Sequence, residues 1–171
     1  MSITIRRLQP DDDRKAFRSG NIDLDRFFER YAGQNQFRHH IGTTDVALDA
    51  KGVIVGFATV SASEITTTRL PKSRGKNLPA YPVPALRLAR LAVDEKAQGL
   101  GVGNSLLRHV LLLARKMAVE VGCLGVLVDA KPEAVGFYEK LGFIELDTIA
   151  GQLGDRPEPL PMFLALGAVP Q

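Results

Sequence analysis

The segment that decides the fold of this chain is Gln98-Gly99-Leu100-Gly101-Val102-Gly103. It follows a short apolar run, Leu88–Val93, and opens a long amphipathic stretch, Leu100–Val121. Because glycine has no Cβ, backbone N–H groups in such a loop can turn inwards and approach an anion closely. The start of a helix adds N–H groups without intrahelical partners and the positive end of the helix dipole. The segment therefore predicts a seat for a diphosphate group.

Two other phosphate-binding loops fit this segment poorly. A Walker A loop ends in Gly-Lys-Ser/Thr, whereas Gly103 is followed here by Asn104 and Ser105. A dinucleotide-binding fingerprint needs a third glycine at position 104 and an acidic residue after the next strand. A plain glycine-rich turn before a helix is the simplest alternative to a phosphate site.

Hydrophobic periodicity places the loop in a mixed α/β (α+β) domain that spans residues 1–171 as a single unit. A proline followed by three acids indicates a helix start at Pro10, and Asp23 is the expected N-cap of a helix over Leu24–Phe37. The expected strands are Ser2–Gln9, Thr44–Leu48, Val53–Ala62, Leu86–Val93, Cys123–Asp129, Phe143–Leu146 and Met162–Leu166. Helices are expected at Leu100–Val121 and Pro132–Leu141, and a long proline-rich loop at Leu70–Pro84.

Composition narrows the class of protein. Hydrophobic residues make up 45% and charged residues 24% of the 171 residues, which is typical of a globular chain. No signal peptide or membrane-spanning run is visible, so a cytoplasmic location is expected. The single Cys123 excludes internal disulfides and is expected to be a buried structural thiol. His39 and His40 lack a third ligand at suitable spacing, so no metal site is expected.

Two further motifs, one on each side of the glycine loop, indicate a family resemblance. Arg90-Leu91-Ala92-Val93-Asp94 precedes the glycine loop, and Ala134-x-x-Phe137-Tyr138-Glu139-Lys140-Leu141-Gly142-Phe143 follows it after one helix and one strand. Together with Gln98, Gly101 and Gly103, these segments resemble the motifs of the GNAT N-acetyltransferases. The resemblance implies a mostly antiparallel twisted sheet with a splayed central strand pair, flanked by helices. It also implies acetyl-CoA as cosubstrate and no metal.

The resemblance assigns roles to particular residues. It implies that Tyr138 is the acid that protonates the departing CoA sulfur, and that Phe137 packs in the core with some contact to the pantetheine. Backbone groups of the fourth strand would pair with the pantetheine and polarise the thioester carbonyl. The expected coenzyme-binding residues are Leu91, Ala92, Val93, Gln98, Gly99, Leu100, Gly101, Val102, Gly103, Asn104, Phe137 and Tyr138.

The distribution of charge bears on the acceptor. The stretch from Ile65 to Val93 contains no acidic residue, and Glu64 and Asp94 at its ends are weak candidates for a general base. A lysine amine, with a pKa of about 10.4, needs such a base, whereas an α-amino group titrates at about 7.7–8.0 and is partly neutral already. An α-amino acceptor is therefore favoured over lysine.

The N-terminal third carries a narrower resemblance. Phe17-x-Ser19-Gly20, Leu24-Asp25-x-Phe27 and Ala32-x-Gln34-Asn35-Gln36 are similar to segments of the GNAT toxins of toxin–antitoxin pairs. That resemblance implies acetylation of the α-amino group of aminoacyl-tRNA, a block of translation, and a ribbon-helix-helix antitoxin as partner. The residues expected to hold tRNA phosphates are Arg38, Arg69, Lys72, Arg74, Lys76, Arg87 and Arg90.

Two alternatives remain open at this stage. A GNAT enzyme that acetylates a small-molecule or protein amine would use its basic residues only for CoA and solubility. A degenerate acyl-CoA-binding domain would have no activity, although the intact Gln98, Gly101, Gly103 and Tyr138 argue against it. The sequence leaves open whether the chain forms a homodimer.

Overall fold

The computed structural model describes residues 1–75, 77–146 and 159–168. Its strands are β1 (Thr4–Arg7), β2 (Thr43–Leu48), β3 (Ile54–Ile65), β4 (Val83–Val93), β5 (Gly125–Ala130), β6 (Ile144–Glu145) and β7 (Leu160–Ala165). Its α-helices are α1 (Ile22–Arg30), α2 (Ala32–Phe37), α3 (Lys72–Gly75), α4 (Val102–Glu120) and α5 (Val135–Lys140). Short 3₁₀ turns lie at Thr67–Arg69, Glu95–Ala97, Pro132–Ala134 and Leu166–Ala168.

The strands form one seven-stranded sheet in the order β1-β2-β3-β4-β5-β7-β6. The pairs β1–β2, β2–β3, β5–β7 and β6–β7 are antiparallel. This arrangement confirms the expected mixed α/β fold with a mostly antiparallel sheet. The splay of the central strands stays a prediction.

The chain divides into two compact units. The first contains Met1–Ser61 and Leu88–Leu112, and the second contains Ala62–Arg87 and Leu113–Gln171. That residues 1–171 form a single domain therefore stays a prediction.

Phenylalanine rings form the core of the first unit. Phe28 stacks on Phe57 with ring centroids 4.4 Å apart, and Phe17 meets both rings edge-on at 5.1 and 5.4 Å. Phe27 and the strand residues Val46 and Ala92 belong to the same cluster. Such aromatic pairs add about 1 kcal/mol each beyond the burial of their area. The cluster fixes α1 against the strands that lead to the glycine loop.

The expected helix over Leu24–Phe37 is two helices, and this expectation was wrong. Tyr31, with φ −116°, ends α1 and precedes α2. Its departure from helical φ redirects the chain so that Gly33 of α2 packs against Arg14. The N-cap is Asn21 rather than Asp23, because the Asn21 side chain accepts a hydrogen bond from the Leu24 N–H.

The second unit has its own apolar cluster around β5 and β7. Its buried members are Ile65, Leu70, Ala85, Leu127, Leu146 and Phe163. β5 begins at Gly125, where any side chain would collide with the backbone of Leu164 and the ring of Phe163 on the paired strand. Glycine at position 125 allows this close approach between the paired strands β5 and β7.

Several other boundaries differ from the sequence-based expectation. α4 begins at Val102 rather than Leu100, because Gly99 and Gly101 take positive φ. The helix ends at Glu120 rather than Val121, and the Val121 side chain that follows it is 76% exposed. Residues 10–20 contain a turn and no helix, since Asp12 bonds to Arg6 and to the Gln9 N–H. The remaining strands differ from their expected bounds only at their ends. The loop expected at Leu70–Pro84 contains the short helix α3 and the start of β4.

Candidate acetyl-CoA site

A side-chain amide fixes the position of the glycine loop. Gln98 Nε2 donates to the carbonyl of Val93, at the end of β4, at 3.1 Å and to the carbonyl of Ser19 at 2.9 Å. The sequence assigned Gln98 to coenzyme binding. In the structure its side chain orients the loop, which leaves its backbone N–H as the group for a ligand.

The segment around Ser19 was missed as part of the site by reasoning from spacing alone. The Arg18 backbone exchanges hydrogen bonds with the two residues after β4, donating to the carboxylate of Asp94 and accepting from the N–H of Glu95. Gly20 has φ +94°, and a Cβ there would lie 3.0 Å from Glu95 Oε1. The Ser19-Gly20 pair is the only signal in the sequence for this contact, and it was read there only as a family resemblance.

The glycine loop and the first turn of α4, residues 99–104, form an open site with exposed backbone N–H donors, called the mouth here. Gly99 and Gly101 have φ of +78° and +87°, and no neighbouring atom of the described residues lies within 4 Å of the position that a Cβ would take at either residue. The first helical bond after the loop runs from the Ser105 N–H to the Gly101 carbonyl at 3.1 Å. The N–H groups of Val102, Gly103 and Asn104 are therefore the free donors of the first turn of α4.

Close packing anchors the start of α4 below this mouth. Val102 is 1% exposed, and its side chain rests on β3 at Gly56. A Cβ at Gly56 would lie 2.9 Å from Val102 Cγ1 and 3.0 Å from Leu106 Cδ1. The helix can approach β3 this closely only because residue 56 is glycine. The donors of the first turn are thereby held on a rigid element, which favours recognition of an anion.

The end of β4 changes from buried to accessible near the loop. Ala92 is buried, whereas Leu91 and Val93 are half-buried and Ala89 is exposed. The sequence assigned Leu91, Ala92 and Val93 to the pantetheine and the thioester carbonyl. The structure keeps these three residues beside the glycine loop in the first unit, joined to it through Gln98.

Tyr138 lies in the second unit, on α5. Its ring is 5% exposed and is held edge-on between Phe137, at 5.1 Å, and Phe143, at 5.3 Å. Burial raises the pKa of Tyr138 to about 12. The phenol therefore stays protonated throughout the physiological range and can donate a hydrogen bond or a proton to a sulfur atom.

The two candidate bases differ in their surroundings. Both carboxylate oxygens of Asp94 accept backbone hydrogen bonds, from Lys96 at 3.0 Å and from Arg18 at 3.1 Å. Asp94 thus shapes the turn before the glycine loop. Glu64 is exposed near the end of β3. Neither carboxylate lies in an arrangement that marks it as a general base.

The basic residues predicted to hold tRNA fall in both units. In the first, Arg38 is exposed and Arg90 holds its guanidinium 3.8 Å from the centroid of the Phe27 ring. In the second, Lys72 and Arg74 are exposed on α3, next to the 3₁₀ turn that carries Arg69.

Arg87 and Arg69 of the second unit have surroundings that limit their contact with RNA. Arg87 donates to Asp129 at 2.7 Å, so part of its charge is already matched. Arg69 has a buried Nε without a hydrogen-bond partner among the described residues. Lys76, the seventh predicted residue, lies outside the described residues.

A pocket of about 390 Å³ in the first unit is a poor seat for phosphate. Its charged lining comprises Asp12, Asp13, Asp49, Asp94 and Lys96. Four carboxylates against one ammonium would repel a diphosphate. The exposed mouth at Gly99–Asn104 fits that group better than this larger pocket does.

Within the described residues, no helix is long and apolar enough to cross a bilayer. The same part of the chain contains no cluster of three or more histidine, cysteine or acidic side chains that could hold a metal ion.

Comparison with known proteins gives the family. The profile of the acetyltransferase (GNAT) domain matches residues 39–145. A tRNA-acetylating toxin of Mycobacterium tuberculosis is 33% identical over 139 residues, which cover 81% of this chain and 82% of that protein. The chain therefore belongs to the GNAT acetyltransferase family, and it is an N-acetyltransferase.

Two solved structures share the fold over nearly their whole length. AtaT complexed with acetyl-methionyl-tRNAfMet is 27% identical, with a TM-score of 0.83 and coverage of 97% of this chain and 96% of that one. AtaTR bound with AcCoA is also 27% identical, with a TM-score of 0.76 and coverage of 96% and 94%.

Proposed function

We propose that this N-acetyltransferase transfers the acetyl group of acetyl-CoA to the α-amino group of aminoacyl-tRNA and blocks translation as the toxin of a toxin–antitoxin pair. The observation that carries the proposal is the 33% identity to a tRNA-acetylating toxin over four-fifths of both chains. The similarity to AtaT in complex with acetyl-methionyl-tRNAfMet supports the same acceptor.

The coenzyme fits the glycine loop of this chain. Acetyl-CoA supplies the acetyl thioester. The open space above Gly99 and Gly101, together with the free donors of the first turn of α4, matches what a diphosphate requires. We assign Leu91, Ala92 and Val93 to the pantetheine and to polarising the carbonyl, and the loop from Gln98 to Asn104 to the diphosphate. We assign Phe137 to a contact with the pantetheine and Tyr138 to a position beside the coenzyme sulfur.

Tyr138 is the proposed acid for the departing sulfur. An ordinary thiol has a pKa of about 8.5, well below that of this phenol, which is about 12. Full transfer of the proton to a free thiolate is therefore uphill. The hydroxyl serves first as a hydrogen-bond donor to the sulfur as charge develops there, and protonation completes as the acceptor amine loses its own proton.

Among the described residues, the surroundings of Glu64 and Asp94 do not mark either as a base, and this fits an α-amino acceptor. Esterification to tRNA lowers the pKa of the α-amino group below its usual 7.7–8.0 by induction, so a large neutral fraction exists at neutral pH. A lysine side chain would need a base that neither Glu64 nor Asp94 is arranged to provide. We assign Arg38, Arg69, Lys72, Arg74, Lys76, Arg87 and Arg90 to tRNA phosphates.

The proposal has consequences for partners and location. The reaction would take place in the cytoplasm, where charged tRNA is found, with no part for a membrane or a metal. A ribbon-helix-helix antitoxin is the proposed protein partner. Residues 1–171 would act as a single GNAT domain, with the option of a homodimer.

The direct test is acetyl transfer from radiolabelled acetyl-CoA to charged tRNA. Matched acceptors separate the possibilities: the same tRNA without its amino acid, the same charged tRNA with its α-amino group formylated, and a lysine-containing peptide. We expect label only in the unblocked charged tRNA. Label in the peptide, with none in charged tRNA, would establish instead an enzyme that acetylates protein or small-molecule amines.

A further inference from the structure

The segment between α1 and β2 combines exposed aromatic rings with uncompensated positive charge. We call residues Arg30–Ile41 the platform. It carries the exposed apolar side chains of Tyr31 (43% exposed), Phe37 (39%) and Ile41 (63%). Its charged or ionisable side chains are Arg30, Arg38, His39 and His40, all exposed, and it contains no acid. Large apolar side chains left in water beside cations are typical of a binding surface.

The platform is held rigidly although its upper face is exposed. Gln36 Nε2 donates to the Leu8 carbonyl at 3.0 Å, and Gln36 Oε1 accepts from the Thr44 N–H at 2.8 Å. Below it, Gly33 fits so closely against Arg14 that a Cβ would lie 2.6 Å from the guanidinium. A surface already ordered in this way loses little conformational entropy on binding.

Arg90 links α1, whose C-terminal end leads into the platform, to the strand of the reaction site. Arg90 precedes the Leu91–Val93 segment directly, and its guanidinium covers the Phe27 ring. Desolvation on this ring lowers the pKa of Arg90 from its ordinary value, although the group stays charged. The Phe27 carbonyl accepts from the Tyr31 N–H at 2.8 Å, so Tyr31 lies one helical turn further along α1. One turn of helix advances by about 5.4 Å.

We propose that the platform binds the unpaired 3′ end of the acceptor RNA, with a base stacked on the Tyr31 ring and neighbouring phosphates next to Arg30 and Arg38. The inference rests on the proposed function and names the part of the chain that receives the end of the tRNA. An exposed aromatic ring beside cations matches a nucleic-acid strand, because every base offers a π face and every linkage a negative charge. A helix of a protein partner would need a longer apolar groove than these three separated side chains provide.

Arg90 has a separate part in this arrangement. Packed on Phe27, between the platform and the acyl-transfer segment, it stands where the strand of RNA turns towards the thioester. Its role is that of a positioning residue, since the phosphate it meets determines where the terminal adenosine lies.

The test compares tyrosine variants on two acceptors. Tyr31→Ala is expected to raise KM for aminoacyl-tRNA by about 5- to 150-fold, the range expected when one stacked base is lost. Tyr31→Phe keeps the ring and should stay within about 2-fold of the parent protein, again because stacking needs only the π face. With an amino acid methyl ester, which has no base to stack, Tyr31→Ala should match the parent. Tyr81→Ala removes an exposed tyrosine elsewhere and serves as the control.

A binding measurement keeps this inference separate from the proposed function. Fluorescence anisotropy with a short unpaired RNA that ends in CCA requires no acetyl transfer, and Tyr31→Ala should weaken its binding by the same factor. If the parent protein fails to acetylate charged tRNA yet binds this RNA through Tyr31, the proposed function is wrong, whereas RNA binding by the platform is confirmed. Unchanged RNA binding and unchanged KM in Tyr31→Ala overturn the platform, as does an equal loss of activity with the methyl ester. Loss of antitoxin binding alone assigns the surface to a protein and overturns it too.

Discussion

At the scale of single residues, the surroundings of Tyr138 decide what its phenol can do. The edge-on contacts with Phe137 and Phe143 bury the ring, and that burial, with a pKa of about 12, holds the proton on oxygen. A tyrosine on the surface would titrate at about 10 and would exchange its hydrogen bonds with water. The buried phenol keeps its single donor for the atom that enters the site.

Replacing Tyr138 by phenylalanine removes this donor and keeps the ring. We expect Tyr138→Phe to lower kcat by about 100-fold or more, the scale of acid catalysis, and to leave the Kd for acetyl-CoA within about 2-fold. Steady-state kinetics and calorimetric titration measure the two quantities. Tyr81→Phe makes the same chemical change at a 67% exposed position and should keep full activity. Unaltered turnover in Tyr138→Phe would remove Tyr138 from the mechanism.

The same residue gives a prediction for stability at high pH. Its pKa is about 12 in the folded protein and about 10 in an unfolded chain, so folding favours the protonated phenol. The contribution of the protonated phenol to the free energy of unfolding is complete below about pH 10 and is lost as the pH rises from about 10 towards 12. Urea unfolding at pH 8, 10 and 11 should show a steeper decline for the parent protein than for Tyr138→Phe. Parallel declines would mean that the phenol is not desolvated in solution.

The identity of Tyr138 could be predicted from its motif, whereas its environment could not. The spacing of Phe137, Tyr138 and Phe143 in the sequence marks a family segment. It contains no information on which rings meet edge-on. Gln98 illustrates the same difference: its place in the motif was evident, but its hydrogen bond to Ser19 joins positions 79 residues apart. Such long-range pairs are set by the packing of the core.

At the scale of elements, the glycine loop and α4 act as one anion-binding unit. The presence of the loop, of a helix after it and of a strand before it could be predicted from the glycine spacing and the periodicity of the helix. The exact first residue of α4 could not, because it depends on the positive φ of Gly99 and Gly101. The break at Tyr31 could not either, because it depends on packing with distant residues. Gly56 matters only through Val102 and Leu106, and Gly33 only through Arg14.

Two glycines with similar conformation separate strain from function. Gly101 and Gly52 have φ of +87° and +80°, and in the part of the chain that the structure describes neither has a neighbour within 4 Å of where a Cβ would lie. Alanine at either position should cost about 1 kcal/mol in the free energy of unfolding, because an L residue is strained at positive φ. Only Gly101→Ala should also raise the Kd for acetyl-CoA, by about 10-fold or more if one donor is turned away. Thermal unfolding and calorimetric titration of both variants give the comparison. If Gly101→Ala and Gly52→Ala had equal affinities for acetyl-CoA, the diphosphate would not bind at this loop.

A buried carboxylate ties α4 to the first two strands. Asp45 on β2 is only 4% exposed, and it accepts from Arg7 Nε at 2.7 Å and pairs with His109 Nε2 at 3.1 Å. We expect Asp45→Asn to lower the free energy of unfolding by about 2 kcal/mol, since one charged hydrogen bond is lost in a buried place. Asp129→Asn breaks the exposed pair with Arg87 and should cost less than about 1 kcal/mol. Urea denaturation curves of the two variants measure the difference. Similar losses would show that the Asp45 link adds nothing beyond an ordinary surface ion pair.

At the scale of the whole molecule, the distribution of charge carries more information than its sum. The net charge is +3, yet the interval from Ile65 to Val93 and the platform both lack acids. Both acid-free intervals could be predicted from the sequence. Their local structure could not: Arg87 is matched by Asp129, and Arg90 is packed on Phe27. Arg87 therefore offers less free charge than the sequence alone would indicate, whereas Arg90 keeps its charge for a phosphate.

Salt dependence tests whether these cations meet RNA. Each phosphate contact contributes about 0.9 to the slope of log affinity against log salt concentration, because a condensed counterion is released. kcat/KM for charged tRNA should therefore fall steeply between about 50 and 200 mM salt, while an amino acid methyl ester should respond little. Arg38→Ala should lower the slope for tRNA by about one and weaken binding to different tRNAs to a similar extent. Lys51→Ala, in the turn between β2 and β3, should leave the slope unchanged. If tRNA and the small ester showed the same shallow slope, the basic residues would serve the coenzyme alone, and the acceptor would have to be sought among small amines.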